Sequence, residues 1–353
     1  MNRKSISRVM YAGAFGIGLA LSPLSAAAQS EVSQYSFTQL QKASKEGNVE
    51  AMSYLADAYY DGEVVPQNYP LALDWYKRAA ELGDTYSITN LGYMYERGYG
   101  VEQDYAEAAR WYQVGARAGS SGSKNNLAYL YENGRGVEKD LGQAVRLYRE
   151  AADQGYRMAQ YNLGYLFTNG IGVEENQLEA VRYYQLAAEQ GHAQAQANLG
   201  YKYERGIGVQ QDDNQAFHWY SEAAAQGNRL GQNNLGFMYE VGRGTEANLQ
   251  EAVRLYRLAA DQGHARAQSN LGLLYLDGTG VPQDDTEAAR FFQLAAEQND
   301  SDGQLNLGYM YEHGRGVPQS LETALSYYQL SAEQGNETAL SNLKILFNQG
   351  KAN

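Results

Sequence analysis

An all-α solenoid of helix-turn-helix units is the fold that the sequence predicts, and two observations predict it. Leu55, Leu91, Leu127, Leu163, Leu199, Leu235, Leu271, Leu307 and Leu343 recur at a constant step of 36 residues, with no insertion or deletion. Within each step, apolar residues at helical spacing alternate with glycine-bearing breaks. A period of this length marks units that each pack only on their neighbours. Such arrays present a surface rather than a deep pocket.

The chain opens on a segment outside this period. Arg3, Lys4 and Arg8 precede the mostly apolar run Val9 to Leu21, and Ala26-Ala27-Ala28 precedes Gln29. That order of charge, short apolar core and small residues predicts a secretory signal peptide over 1–28, cleaved after Ala28. The apolar run is shorter than the ~20 residues a spanning helix needs. Residues 29–47 then read as a lone second helix, because Ala43 aligns with Ala79 and Gly47 with Gly83. Eight full units follow over 48–335, and 336–353 reads as a last first-type helix, giving 18 helices in all. In that last helix Lys344 replaces a packing glycine, which suits an exposed end.

The unit from His192 to Gly227 shows why each piece forms. Ala195, Leu199 and Tyr203 lie on one face of a first helix, A, and Gly200 allows close approach by another helix. Helix A stops at Gly206-Ile207-Gly208, since glycine takes the left-handed conformations that close helices. Seven loops carry this G-x-G pair, as in Gly98/Gly100 and Gly134/Gly136, whereas the first loop keeps only Gly62. Helix B starts at a capping column, Asn68, Asp104, Asp140, Asn176, Asp212, Asn248, Asp284 and Ser320. Three residues on stand Glu107, Gln143, Glu179, Gln215, Glu251 and Glu287, which predicts reciprocal capping boxes. Along helix B, Ala216, Tyr220 and Ala224 form the inward seam, with alanines matched in all eight units and Tyr or Phe between them. An aromatic stripe at this spacing is core material.

Composition narrows the function. The chain has no cysteine, which excludes disulfides, thiolate metal sites and a lipoprotein anchor. The formal charge of −13 becomes −16 once Arg3, Lys4 and Arg8 leave with the leader. Nucleic acid and anionic lipid are poor partners for such a chain. Nothing after Gln29 is apolar enough to span a membrane. The four histidines do not cluster, and the glycine loops lack the ending of a phosphate loop, so neither a metal nor a cofactor is expected.

The pattern A-x-x-N-L-G-x-M-Y-x-x-G-x-G-V, a capping Asp, then A-x-x-W-Y-x-x-A-A-x-x-G resembles the Sel1-like repeat (SLR) family, relatives of the tetratricopeptide repeats. Asn90-Leu91-Gly92-Tyr93-Met94-Tyr95, Trp111-Tyr112 and Asn306-Leu307-Gly308-Tyr309-Met310-Tyr311 carry the match. The resemblance implies a right-handed α/α superhelix serving as an adaptor, scaffold or regulator. Exported bacterial members are associated with envelope regulation, secretion systems and host interaction. One cysteine-bridged subgroup is linked to penicillin binding or hydrolysis, and this chain lacks those cysteines. It holds two S-x-x-K strings, Ser121–Lys124 and Ser341–Lys344, without the companion motifs such chemistry requires. No catalytic residue is therefore assigned. A β-lactamase-like hydrolase and a peptidoglycan-binding protein are the alternatives to a protein-binding scaffold.

Two columns are candidates for the binding surface. If Ala195, Leu199 and Tyr203 face inward, Ala197, Tyr201 and Glu204 face the other way. In arrays of this kind, as the resemblance implies, helix A lines the concave side. One column reads Tyr93, Tyr129, Tyr165, Tyr201, Phe237 and Tyr309, with Asp57 and Leu273 as departures. The other reads Glu96, Glu132, Glu204, Glu240 and Glu312, with Tyr60, Thr168 and Leu276 as departures. A tyrosine rail beside a glutamate rail predicts a protein partner with basic segments. The alternative is that the tyrosines only close the inner wall, and stacking on sugars would instead favour peptidoglycan. The uniform asparagine column from Asn90 to Asn342 is expected to be architectural, satisfying backbone or cross-repeat hydrogen bonds.

Overall fold

The computed structural model describes residues 31–352. The expected signal peptide lies outside them. The chain forms two compact units that divide between Tyr183 and Tyr184. The first holds a 3-10 turn (Glu31–Gln34), α1 (Phe37–Lys45), α2 (Val49–Asp61), α3 (Tyr69–Glu81), α4 (Thr85–Arg97), α5 (Tyr105–Arg117), α6 (Ser121–Asn133), α7 (Leu141–Asp153) and α8 (Arg157–Asn169). The division falls within α9 (Gln177–Glu189). The second holds α10 (Ala193–Arg205), α11 (Asp213–Ala225), α12 (Arg229–Val241), α13 (Leu249–Asp261), α14 (Ala265–Asp277), α15 (Asp285–Glu297), α16 (Ser301–His313), α17 (Leu321–Glu333) and α18 (Glu337–Ala352). Even-numbered helices are the A helices and odd-numbered ones the B helices of an all-α solenoid.

Helix B starts where the capping column places it. Asp104, for example, accepts from the backbone N–H groups of Ala106 and Glu107, each at 2.9 Å. The reciprocal half of the capping box does not form in these helices. The Asp104 N–H already donates to the Tyr95 carbonyl of helix A at 2.9 Å, as the Asp140 N–H does to Tyr131. Glu107, Glu179, Glu251 and Glu287 turn instead to Arg110, Arg182, Arg254 and Arg290 one turn on. Helix α1 carries both halves of the box, through Ser36 and Gln39.

Packing explains the glycine loops more fully than chain reversal does. The first glycine of each pair closes helix A in the left-handed conformation, as Gly134 does at φ +67°. In six of the pairs the second touches the preceding repeat. A Cβ on Gly136 would sit 2.2 Å from the carbonyl of Tyr105, the first residue of α5. The first loop has no such neighbour, because α1 starts about a turn late in the register. Val64 occupies the second glycine's place there and is 68% exposed.

Helix A is not two-faced. In α10 the buried residues include Ala195 and Leu199, but also Ala197, Lys202 and Glu204. An A helix is enclosed by its own helix B and by adjoining repeats, so its wheel has little free arc. The assignment of Ala197 and Glu204 to an outward face is thereby corrected. Close helix contact is real at Gly200, where a Cβ would lie 2.7 Å from the Tyr220 ring.

Candidate interaction surface

The glutamate column is interior rather than an exposed rail. Glu96, Glu132 and Glu204 are buried, while Glu240 and Glu312 are half-buried. Each accepts a hydrogen bond from the buried tyrosine of its own helix B. Tyr112 donates to Glu96 at 2.9 Å, Tyr148 to Glu132 at 2.9 Å and Tyr220 to Glu204 at 2.8 Å. Tyr256 and Tyr328 do the same to Glu240 and Glu312, at 2.8 and 2.6 Å. Glu96, Glu132 and Glu204, buried in this way, do not form the exposed rim on which the expectation of a basic partner rested.

Two of the three departures from this column follow its logic, while Thr168 turns to the Gly164 carbonyl at 2.8 Å. Where Leu276 replaces the glutamate, Phe292 replaces the tyrosine, so neither polar partner is left stranded. In the first repeat Tyr60 stands in the glutamate place, and Tyr76 donates instead to Asp57 one turn earlier. Tyr86 adds a second hydrogen bond to Asp57 at 3.0 Å. Burial pushes the Asp57 carboxyl up to about 6 despite these donors. It also raises Glu96 and Glu132. The asparagine column lies alongside. Asn162 donates to Asn125 at 3.0 Å and Asn270 to Asn233 at 3.2 Å, each bond linking neighbouring repeats.

The aromatic column remains partly open. Tyr93 is just buried, and Tyr129, Tyr165, Tyr201, Phe237 and Tyr309 are half-buried. In the first unit this column runs into a second set of rings at the A–B loops. Tyr69 and Tyr99 stack at 4.7 Å, and Tyr60 lies 5.4 Å from Tyr69. Tyr93 meets Tyr99 edge-on at 6.1 Å. Arg97 lies 5.3 Å over Tyr93, and Arg135 spans Tyr129 and Tyr105 at 5.4 and 5.6 Å.

A ladder between adjoining repeats, which the single-column reading missed, sets these contacts. In four of the G-x-G loops the middle residue meets the first residue of the preceding helix B. Arg243 pairs with Asp213 at 2.5 Å and also reaches Glu204 at 3.3 Å. Arg315 pairs with Asp285 at 2.6 Å, Arg135 covers Tyr105, and Tyr99 stacks on Tyr69. The signal was available in the sequence as a constant offset of 30 residues, as from Asp213 to Arg243 and from Asp285 to Arg315.

Two histidines serve as caps. The Nδ1 atoms of His192 and His264 accept from Ala195 and Ala267 N–H groups at 3.1 and 3.2 Å. Burial, aided by Arg229 and Arg266, lowers His264 to about 4. Between that value and the ordinary ~6.5 the unfolded chain binds a proton that the folded chain refuses, so stability falls on acidification. His264→Asn keeps a capping side chain and removes the titration. Thermal melts of the variant are expected to be flatter with pH over this window than those of the native chain. Parallel curves would refute the assignment.

The S-x-x-K lysines have other placements. Lys124 pairs with Glu150 at 3.2 Å, and Lys344 is exposed on α18. Among the described residues, no group of three or more His, Cys, Asp or Glu could hold a metal ion. No helix among them is long and apolar enough to cross a membrane.

The Sel1 repeat family matches the chain at 49–84, 85–120, 122–156, 157–192, 193–228, 230–264, 265–300 and 301–336. The chain belongs to the Sel1 repeat family. Its paired-helix, tetratricopeptide-like repeats are of the kind that mediates protein–protein interaction. Among solved structures it is similar to c5321, described as a protective antigen present in uropathogenic Escherichia coli strains. Identity there is 35% and the TM-score 0.74, over 89% of this chain and 68% of that one. A Sel1 repeat protein from Oxalobacter formigenes is 33% identical with a TM-score of 0.60, over 88% of this chain and 90% of that one. No curated protein matches the chain.

Proposed function

We propose that this Sel1-repeat protein is exported to the periplasm or beyond and binds a protein partner there, in envelope, secretion or host-interaction processes. The half-buried aromatic column on the A helices carries the reading. Large rings left partly open along an otherwise enclosed helix offer contact area at low entropic cost. The leader-like order of basic, apolar and small residues over 1–28 supports export, and so does the likeness to a protein described as a protective antigen.

A photoreactive amino acid placed at Tyr165 is expected to crosslink a discrete protein in intact cells, whereas the same probe at exposed Gln185 on helix B is not. Mass spectrometry of the exported material should give an N-terminus at Gln29. Equal crosslinking at both positions would sink the helix-A surface. A chain retaining Met1 in the cytoplasm would sink export. Capture of purified peptidoglycan in place of a protein would transfer the surface to sugar recognition.

A further inference from the structure

We infer that the loop edge of the first unit, from Tyr60 to Arg135, docks an acidic, apolar-rich polypeptide segment. The inference rests on the protein-binding reading above and names the partner's chemistry.

Arginines at one ladder position are used in two ways. Arg243 and Arg315 close on Asp213 and Asp285, leaving side chains only 30% and 29% exposed. Arg135 holds the same position, but Tyr105 stands where those aspartates do. Its guanidinium lies over Tyr105 and Tyr129, is exposed, and has no salt bridge among the described residues. Arg97, also exposed, has none either and lies over Tyr93. Both arginines act electrostatically on Tyr129, with Arg135 lying over its ring at 5.4 Å. The stacked pair Tyr69/Tyr99 and the adjoining Tyr60 extend the same aromatic platform.

Opposing charge comes from buried Glu96 and Glu132 around Tyr129, and from Asp61 and Glu63 at the far end beside Tyr60. Glu96 interacts with both arginines, but its carboxylate is buried and already accepts from Tyr112 at 2.9 Å. Planar guanidinium forks resting on rings keep their free edges directed at a carboxylate, while the rings take its apolar neighbours. The net charge, −13 or −16 without Arg3, Lys4 and Arg8, does not forbid this, because charges beyond ~8–10 Å are screened at ordinary ionic strength. A continuous polyanion such as a nucleic acid would meet that net charge along its whole length. A short acidic segment meets the two arginines alone.

Fluorescence anisotropy with the full folded protein tests this. The probes are a labelled decapeptide alternating Glu with Phe and Leu, its Gln counterpart, its Lys counterpart, and a single-stranded oligonucleotide. The acidic peptide is expected to bind about tenfold or more tightly than the Gln form, with that preference shrinking as salt rises. Arg97→Gln/Arg135→Gln should abolish the preference without changing the thermal melt. Arg135→Lys should keep part of it, and Arg205→Gln in the second unit should leave it intact. Equal binding of acidic and neutral peptides, tighter binding of the Lys peptide or the oligonucleotide, or a preference that survives the double variant would each overturn the inference. Crosslinking at Tyr165 is read independently. A partner captured there that is indifferent to Arg97 and Arg135 would leave protein binding standing and remove the acidic-segment site.

Discussion

Tyr148→Ala is expected to destabilise the array by about 3–5 kcal/mol, because a fully buried ring leaves a cavity that the neighbouring helices cannot close. The more informative variant is Tyr148→Phe. It keeps the ring and removes only the hydroxyl that donates to Glu132 at 2.9 Å. A buried carboxylate stripped of its donor should cost ~1–3 kcal/mol. Tyr148→Phe/Glu132→Leu reproduces the Phe292/Leu276 pairing that this chain already uses, and should recover most of that loss. Urea midpoints of the singles and the double give the coupling directly. A double variant as unstable as the sum of its singles would show that the pair is not coupled.

Gly136→Ala should loosen the junction between α6 and α5. A side chain at φ +67° costs about 1–2 kcal/mol by itself. The added Cβ would also meet the Tyr105 carbonyl at 2.2 Å, and shifting backbone to admit it adds ~1–3 kcal/mol. Gly134→Ala shares the first cost alone, since the nearest atom its Cβ meets is the Lys139 side chain at 3.2 Å. Hydrogen exchange should therefore quicken in the first turn of α5 for Gly136→Ala and not for Gly134→Ala. Equal exchange in the two variants would mean that the second glycine serves only the turn.

The candidate surface was less legible than the fold, and the glutamates show why. Glu204 falls on the wheel opposite Ala195 and Leu199, and a wheel treats one helix as having one inner face. A repeat enclosed on several sides buries most of that circle, so Glu204 finds Tyr220 where solvent was expected. Reading two columns jointly would have shown it, since Leu276 and Phe292 lose their polar atoms in the same unit. The capping glutamates follow the same pattern. Glu107 stands where a capping box needs it, but the Asp104 N–H is already donated to Tyr95, a contact made across the loop.

The sequence alone determined the repeat length, the two helices of each unit, their caps and the family. These depend on local rules, hydrophobic period, capping side chains and left-handed glycines, whose causes lie within a few residues of their effects. Tertiary structure decided which polar groups face water. Glu132 is spent on Tyr148 and Arg243 on Asp213, while Arg135, resting on Tyr105, keeps its charge outward. Each outcome turns on a partner some 16 or 30 residues away, as from Glu132 to Tyr148 and from Tyr105 to Arg135. Burial and pairing are properties of the packed neighbours, and no single helix contains them.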